Sequence, residues 1–310
     1  MFSTPHIQLK HYIKAARLNR WMLNLFLIPG YIFGLIFTHH VSQILDPKII
    51  IAIIAICCSA FANYTINEYL DAESDALHPE KKDRPGAQGL LHKKYIIIQY
   101  FLFTIVALLL STLVNKNLFF MLIIFLLMGV IYNVKPMRTK DKPYLDILSE
   151  SINNPLRFMC GWYVVPHIFF PPISILIACW MTGAFLMTMK RYAEFRHIKN
   201  QTTISLYRIS FKYYTEKKLL SLAIGFALLA CGALSIFLLF SMVTAIIVVT
   251  LLLIFFAWYL KISTLNNSPA QQPEQLFQQQ PYIIYYLFLV ATVTLFLFYD
   301  NLPKLGFYFQ

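Results

Sequence analysis

Residues 48–75 read KIIIAIIAICCSAFANYTINEYLDAESD. After Lys48 the chain runs to Asn67 without a charge, then turns abruptly acidic at Glu68, Asp71, Glu73 and Asp75. An apolar helix needs about 20 residues to cross the hydrocarbon core of a bilayer, so 48–67 is a membrane span whose end carries carboxylates. Runs of comparable length recur at Trp21–Thr38, 95–114, 117–133, 145–166, 168–189, 219–239, 241–260 and 281–299. Backbone polar groups in lipid must be satisfied within the segment. The expectation is an all-α, polytopic bundle of nine transmembrane helices forming one domain over 1–310, around a central cavity open to the cytosolic side.

Composition points the same way. The 310 residues are 58% hydrophobic and 13% charged, with a mean hydropathy of +0.61, whereas a soluble chain carries roughly a quarter charged residues. With 27 Phe and 19 Tyr the chain holds too much apolar surface for disorder. The Trp21–Thr38 run exceeds the ~7–15 residues of a signal-peptide core and lacks a small-residue cleavage site, so it is expected to be retained. Cys57, Cys58, Cys160, Cys179 and Cys231 form no CxxC pair and are expected to pack as small hydrophobes.

The net charge of +12 implies no nucleic-acid partner, because the charges fall in loops between spans. With the N-terminus cytosolic, 22 of the 26 Lys and Arg lie on the cytosolic side, three lie outside, and Arg157 falls within a span. That bias expects the C-terminus outside. His39 and His40 then lie on the side opposite the acids, and the sequon Asn63-Tyr64-Thr65 lies within a span and is inert.

The acids are few and clustered. Six of the 14 fall in 68–83 and three in 141–150, both on the expected cytosolic side. Asn67, Asp71 and Asp75 repeat every four residues, lining one helix face with about 6 Å of rise per step. Asp146 and Glu150 repeat that spacing. Any one of these acids fits a solvated helix end, but like charges at i, i+4 repel, and two such sets on one membrane face call for a cation. Carboxylate and amide oxygens suit Mg²⁺, which binds through one or two carboxylates plus substrate phosphates. Lys81, Lys82, Arg84, Lys140 and Arg157 are candidate diphosphate partners.

Asn67-x3-Asp71-x3-Asp75, continuing through His78-Pro79-x-Lys81-x2-Arg84-Pro85, resembles the first signature of the UbiA superfamily of intramembrane prenyltransferases. Tyr132 to Arg157 resembles its second acidic motif in position and side, and Glu68 stands where the family usually has a second Asp. Lys140-x5-Asp146-x10-Arg157, Arg17 with Trp21 and Asn24, and Lys190-Arg191-Tyr192-Ala193-Glu194 are similar to the polyprenyl-phosphate phosphoribosyltransferase branch. The resemblance implies a Mg²⁺-dependent transferase in a bacterial-type inner membrane, acting on a polyprenyl lipid and a diphosphate-bearing co-substrate. Asp71, Asp75, Asp146 and Lys140 are its catalytic candidates. Asn67, Asp71 and Asp75 would take the metal, and Asp146 and Glu150 a second metal, the acceptor or a ribose. Lys81, Arg84, Lys140, Arg157, Lys190 and Arg191 would take phosphates. Tyr192 and Glu194 are expected either at substrate or in a salt-bridged loop. The alternatives are prenyl transfer from a prenyl diphosphate to an aromatic acceptor, and a secondary transporter, which would carry its acids near the membrane midplane.

Overall fold

The computed structural model describes residues 8–166, 169–198, 206–239, 242–265, 268–271, 281, 284–285 and 287–296. These residues are helical or in connecting turns, with no strand among them. The chain opens with α1 (Leu9–Ala16), a 3-10 stretch Leu18–Phe26 and α2 (Leu27–Phe37). It continues with α3 (Lys48–Leu70), α4 (Ala72–Asp75), α5 (Lys93–Thr112) and α6 (Lys116–Asn133). Then follow α7 (Leu145–Ser151), α8 (Asn153–Trp162), α9 (Ile173–His197), α10 (Glu216–Phe237) and α11 (Met242–Ser263). Polar caps start two of the long helices: Asn115 Oδ1 accepts from Leu118 N–H at 2.9 Å and Thr215 Oγ1 from Lys218 N–H at 3.2 Å, each satisfying an orphan donor of the first turn.

Seven segments are long and apolar enough to cross a membrane: Leu9–Phe37, α3, α5, α6, α9, α10 and α11. They match seven of the nine expected spans. The eighth, 145–166, is not one helix but two short ones. Pro155 has no N–H to give the Ser151 carbonyl and its ring crowds that carbonyl, so the first helix stops there while Pro155 is tolerated in the first turn of α8. Of the ninth, only 281, 284–285 and 287–296 are described, with Leu287–Phe296 helical. The remainder lies outside the described residues.

The outer faces are apolar and exposed. On α5, Ile98, Phe101, Leu102, Ile105 and Leu109 share one exposed face, a stripe of the kind that lipid covers. Inside, Leu27, Leu35, Ile56, Leu118 and Leu122 bury the first half of the bundle, and Phe185, Phe256 and Tyr259 the second. The halves meet through α2 and α8, which approach backbone to backbone. A Cβ at Gly161 would overlap the Leu27 carbonyl oxygen, and one at Gly30 the Phe158 carbonyl oxygen. Cys57, Cys160 and Cys231 are buried and all five cysteines are free. This packing brings the ends of α3, α6 and α9 to one side of the bundle, where the loops 71–92, 134–144 and 206–214 gather.

Candidate active site

Asp71 sits where α3 ends, at φ −98° and ψ 4°. The expected single helix face from Asn67 to Asp75 is therefore bent, although the hydrogen-bond ladder carries through it. Asp71 N–H donates to the Asn67 carbonyl at 3.0 Å and Asp75 N–H to the Asp71 carbonyl at 2.8 Å. Asn67, Asp71 and Asp75 all line one cavity of about 350 Å³, together with Lys81, Arg84, Lys140, Glu150, Arg157, Lys190 and Arg191. Among the described residues eleven Lys and Arg line it against five Asp and Glu, so the space is strongly attractive to polyanions.

Four of the five cavity carboxylates, Asp71, Asp75, Asp141 and Glu150, are matched to bases. Lys140 Nζ donates to Asp71 Oδ1, and Arg138 Nη2 donates to the same oxygen at 3.1 Å. Asn67 Nδ2 donates to Asp71 Oδ2 at 2.8 Å and to Asn133 Oδ1 at 2.6 Å. Arg84 Nη1 reaches Asp75 Oδ2 at 2.6 Å. Burial disfavours the charge on Asp71, but Lys140 and Arg138 outweigh it and hold the carboxyl below the usual carboxylate range. Burial pushes Lys140 below the ordinary lysine range, with Asp71 opposing and Arg138 reinforcing the shift. Arg157 lies deeper, its Nε donating to Asn24 Oδ1 at 3.0 Å, with its guanidinium 5.4 Å from the Phe125 ring centroid.

Four of the expected site residues are not among the cavity-lining residues, the first being Lys82, which is exposed. Asp146 is wholly buried, accepting from Tyr214 OH at 2.6 Å and Ser210 Oγ at 3.0 Å. Glu194 is also wholly buried, accepting from Lys81 Nζ at 2.8 Å and Arg191 Nη1 at 3.0 Å. Tyr192 packs in the apolar core, with the Arg196 guanidinium 5.6 Å from its ring centroid. Arg191 is bound to three carboxylates at once: Glu150 at 2.9 Å, Glu194 at 3.0 Å and Asp146 at 3.4 Å. Glu150 also accepts from Tyr132 OH at 2.7 Å. The cavity also contains groups that the sequence reading did not assign to it: Arg138, Asn133, Tyr207 and Arg208. Arg138 and Arg208 look in the sequence like two more cytosolic bases, which the topology rule already explains, so neither stood out.

Among the described residues no three His, Cys, Asp or Glu side chains gather to hold a metal ion. Mg²⁺ does not need such a cage, since one or two carboxylates and substrate phosphates suffice. Asp71 and Asp75, one turn apart on the wall of a basic cavity, fit that mode.

The sequence pattern of the UbiA prenyltransferase family matches residues 26–290. The chain belongs to the UbiA prenyltransferase family. Membership places it among integral-membrane transferases. Curated relatives include the decaprenyl-phosphate phosphoribosyltransferases of Mycolicibacterium smegmatis, 27% identical over 59% of this chain and 56% of the relative, and of Mycobacterium tuberculosis, 25% identical over 66% of each. The chain thus spans 56 to 66% of the length of the curated relatives it matches. Among solved structures it resembles a UbiA homologue from Archaeoglobus fulgidus bound to GPP and Mg²⁺, with TM-score 0.68 and 14% identity over 92% of this chain and 99% of that one. It also resembles a digeranylgeranylglyceryl phosphate synthase, with TM-score 0.64 and 16% identity over 94% of this chain and 98% of that one. These two likenesses establish the UbiA fold.

Proposed function

We propose that this UbiA-family chain is a Mg²⁺-dependent transferase acting on a polyprenyl substrate with loss of diphosphate, and that it moves phosphoribose from phosphoribosyl pyrophosphate to a polyprenyl phosphate. The observation that carries this reading is the charge balance of the cavity, eleven bases against five acids. Buried Glu68, Asp146 and Glu194 behind the wall answer part of that surplus through Arg17, Arg191 and Lys81; one metal-bound diphosphate leaves part of the remainder unpaired, and desolvated, unpaired charge is expensive. A second phosphorylated ligand relieves it. The mycobacterial relatives named for the same reaction support the branch. We further propose that the cavity opens to the cytosol of a bacterial-type inner membrane, with the N-terminus on that side; the Lys and Arg distribution supports that orientation.

In this reading the acceptor phosphate forms a bond to the anomeric carbon as the bond from that carbon to the diphosphate oxygen breaks. Negative charge accumulates on the departing group. Mg²⁺ bound at Asp71 and Asp75 supplies Lewis-acid stabilisation of that charge. Lys140, Arg138 and Arg84, already gathered at the two carboxylates, provide preorganised donors to the same oxygens. Asn67 is tied to Asp71 and Asn133 and orients the carboxylate. Phe125, Tyr64, Ala60 and Gly129 supply the apolar part of the wall, where an isoprenoid excludes water. The carboxylates lie beyond the last turn of α3, which favours an enzyme over a transporter with acids at the midplane.

The test is a side-by-side assay of purified protein in mild detergent. One arm supplies phosphoribosyl pyrophosphate and polyprenyl phosphate, the other a prenyl diphosphate and an aromatic acid, and both follow pyrophosphate and lipid product. Lipid-linked phosphoribose is expected. Prenylation of the aromatic acid without any lipid-linked phosphoribose would overturn the branch.

A further inference from the structure

Most cavity cations already donate hydrogen bonds within the protein; among the described residues the Arg208 Nη1 donates none, the Asp146 carboxylate beside it lying just beyond hydrogen-bond distance. Lys81, Arg84, Arg138, Lys140, Arg157 and Arg191 each donate to a carboxylate, amide or carbonyl oxygen. The guanidinium of Arg208 carries five N–H donors, lines the cavity and is only 14% exposed. Its Nη1 is shut away from solvent with no hydrogen-bond partner among the described residues, and stands 3.6 Å from Asp146 Oδ2. An enclosed guanidinium with donors left over is costly until an acceptor arrives. Planar, forked donors match phosphate oxygens in particular.

The segment that carries Arg208 is held from behind. Asp146 accepts from Tyr214 OH at 2.6 Å and Ser210 Oγ at 3.0 Å, and the same Tyr214 oxygen accepts from Tyr144 N–H at 2.6 Å. On the other flank Tyr207 OH is bonded to Lys81 Nζ. Asp146 therefore holds the residues that follow Arg208, Ser210 and Tyr214, while lying outside the cavity lining.

We propose that Arg208 is a substrate-binding residue that grips a phosphoryl group in the cavity, and that Asp146 is the positioning residue that aims it. The proposal rests on the reading of the cavity as a phosphate site. The phosphoryl group is either the diphosphate of the co-substrate or the monophosphate of the lipid.

The test measures binding of two probes to the full-length protein in detergent with Mg²⁺: inorganic pyrophosphate and a short-chain prenyl monophosphate. Arg208→Gln is expected to weaken one or both by about tenfold or more, the loss of a hydrogen bond to a charged group. A drop confined to pyrophosphate assigns Arg208 to the co-substrate, and one confined to the prenyl phosphate assigns it to the lipid. Lys212→Gln, on the exposed face of the same turn, serves as control, and equal affinities in both variants would overturn the assignment. Asp146→Asn is expected to weaken the same probe, with Asp146→Asn/Arg208→Gln no worse than Arg208→Gln. Uniform weakening of both probes with a lowered melting temperature, or additive losses in the double variant, would reduce Asp146 to a structural role. Wild-type protein that binds neither probe would overturn the phosphate site itself and this inference with it. Wild-type binding with an unaffected Arg208→Gln would overturn the inference alone.

Discussion

Lys81 Nζ donates to Glu194 Oε1 at 2.8 Å across 113 residues of sequence, joining the loop after α4 to the last turns of α9. Glu194 is fully buried and also receives Arg191 at 3.0 Å. Removing one partner of a buried pair strands the other, at a cost of about 3–5 kcal/mol. Glu194→Gln keeps the shape and deletes the charge, so thermal unfolding in detergent should shift several degrees lower than for wild type. An unchanged midpoint would mean that the link contributes nothing to holding these helix ends together.

Asp71→Asn and Asp75→Asn bear on the metal. Each substitution is expected to reduce turnover by about a hundredfold or more at saturating Mg²⁺, the scale of losing one preorganised electrostatic group. Each substitution leaves bases without their carboxylate, Lys140 and Arg138 at position 71 and Arg84 at position 75, but the amide oxygen still accepts from them, so the fold should persist with a melting temperature lowered by no more than a few degrees. Wild-type turnover should also vanish with chelator and return with Mg²⁺. Near-normal turnover of Asp71→Asn at limiting Mg²⁺ would remove Asp71 from the metal site.

The spans were legible because lipid leaves a chain few options: about 20 apolar residues in a helix with internal hydrogen bonds. The stretch 145–166, divided into α7 and α8, shows the limit of that rule. Its mean hydropathy counts residues, whereas its break depends on one missing N–H at Pro155. The site was legible where chemistry is local. Asn67, Asp71 and Asp75 repeat every four residues and line the cavity together. What the sequence hid was pairing over distance. Nothing local reveals that Glu194 meets Lys81, that Asp146 meets Tyr214 and Ser210, or that Arg208 is a cavity base rather than a loop charge.

The proposed topology rests on the charge bias. Single cysteines placed in 76–92 and in 206–215, in a protein stripped of its five native cysteines, should be labelled only by reagents reaching the cytosolic face. Labelling of either loop from the outer side would reverse the orientation and move the cavity mouth with it.

Gly161 tests how α2 and α8 meet. A methyl group there runs into the Leu27 carbonyl oxygen and comes within 2.7 Å of Tyr31 N, backbone atoms that cannot rotate away. Overpacking of this kind costs about 1–3 kcal/mol. Gly161→Ala should lower the melting temperature in detergent, while Gly225→Ala, which meets nothing within 4 Å, should not. Equal stability of the two variants would contradict the close approach.

His78 gives the fold a dependence on acid. Its ring is 1% exposed and lies 4.8 Å from the Tyr207 ring. Its Nδ1 accepts from Glu80 N–H at 3.1 Å, while Nε2 has no partner among the described residues. Burial first, then the neighbouring Lys81, with lesser contributions from Arg84 and His197, depresses its pKa from 6.5 to about 3 against the opposing pull of Glu194. Above pH 6.5 the imidazole is neutral whether the chain is folded or not, so its titration costs nothing. Below 6.5 the unfolded chain binds a proton that the folded protein refuses until about pH 3, and stability therefore falls as pH falls through that window. His78→Asn keeps an acceptor for Glu80 N–H but cannot titrate. Melting temperature plotted from pH 7.5 to pH 5 should drop more steeply for wild type than for His78→Asn, with the curves converging in slope above pH 6.5. Parallel curves across the whole range would show that His78 takes up its proton in the folded protein as readily as in the unfolded chain.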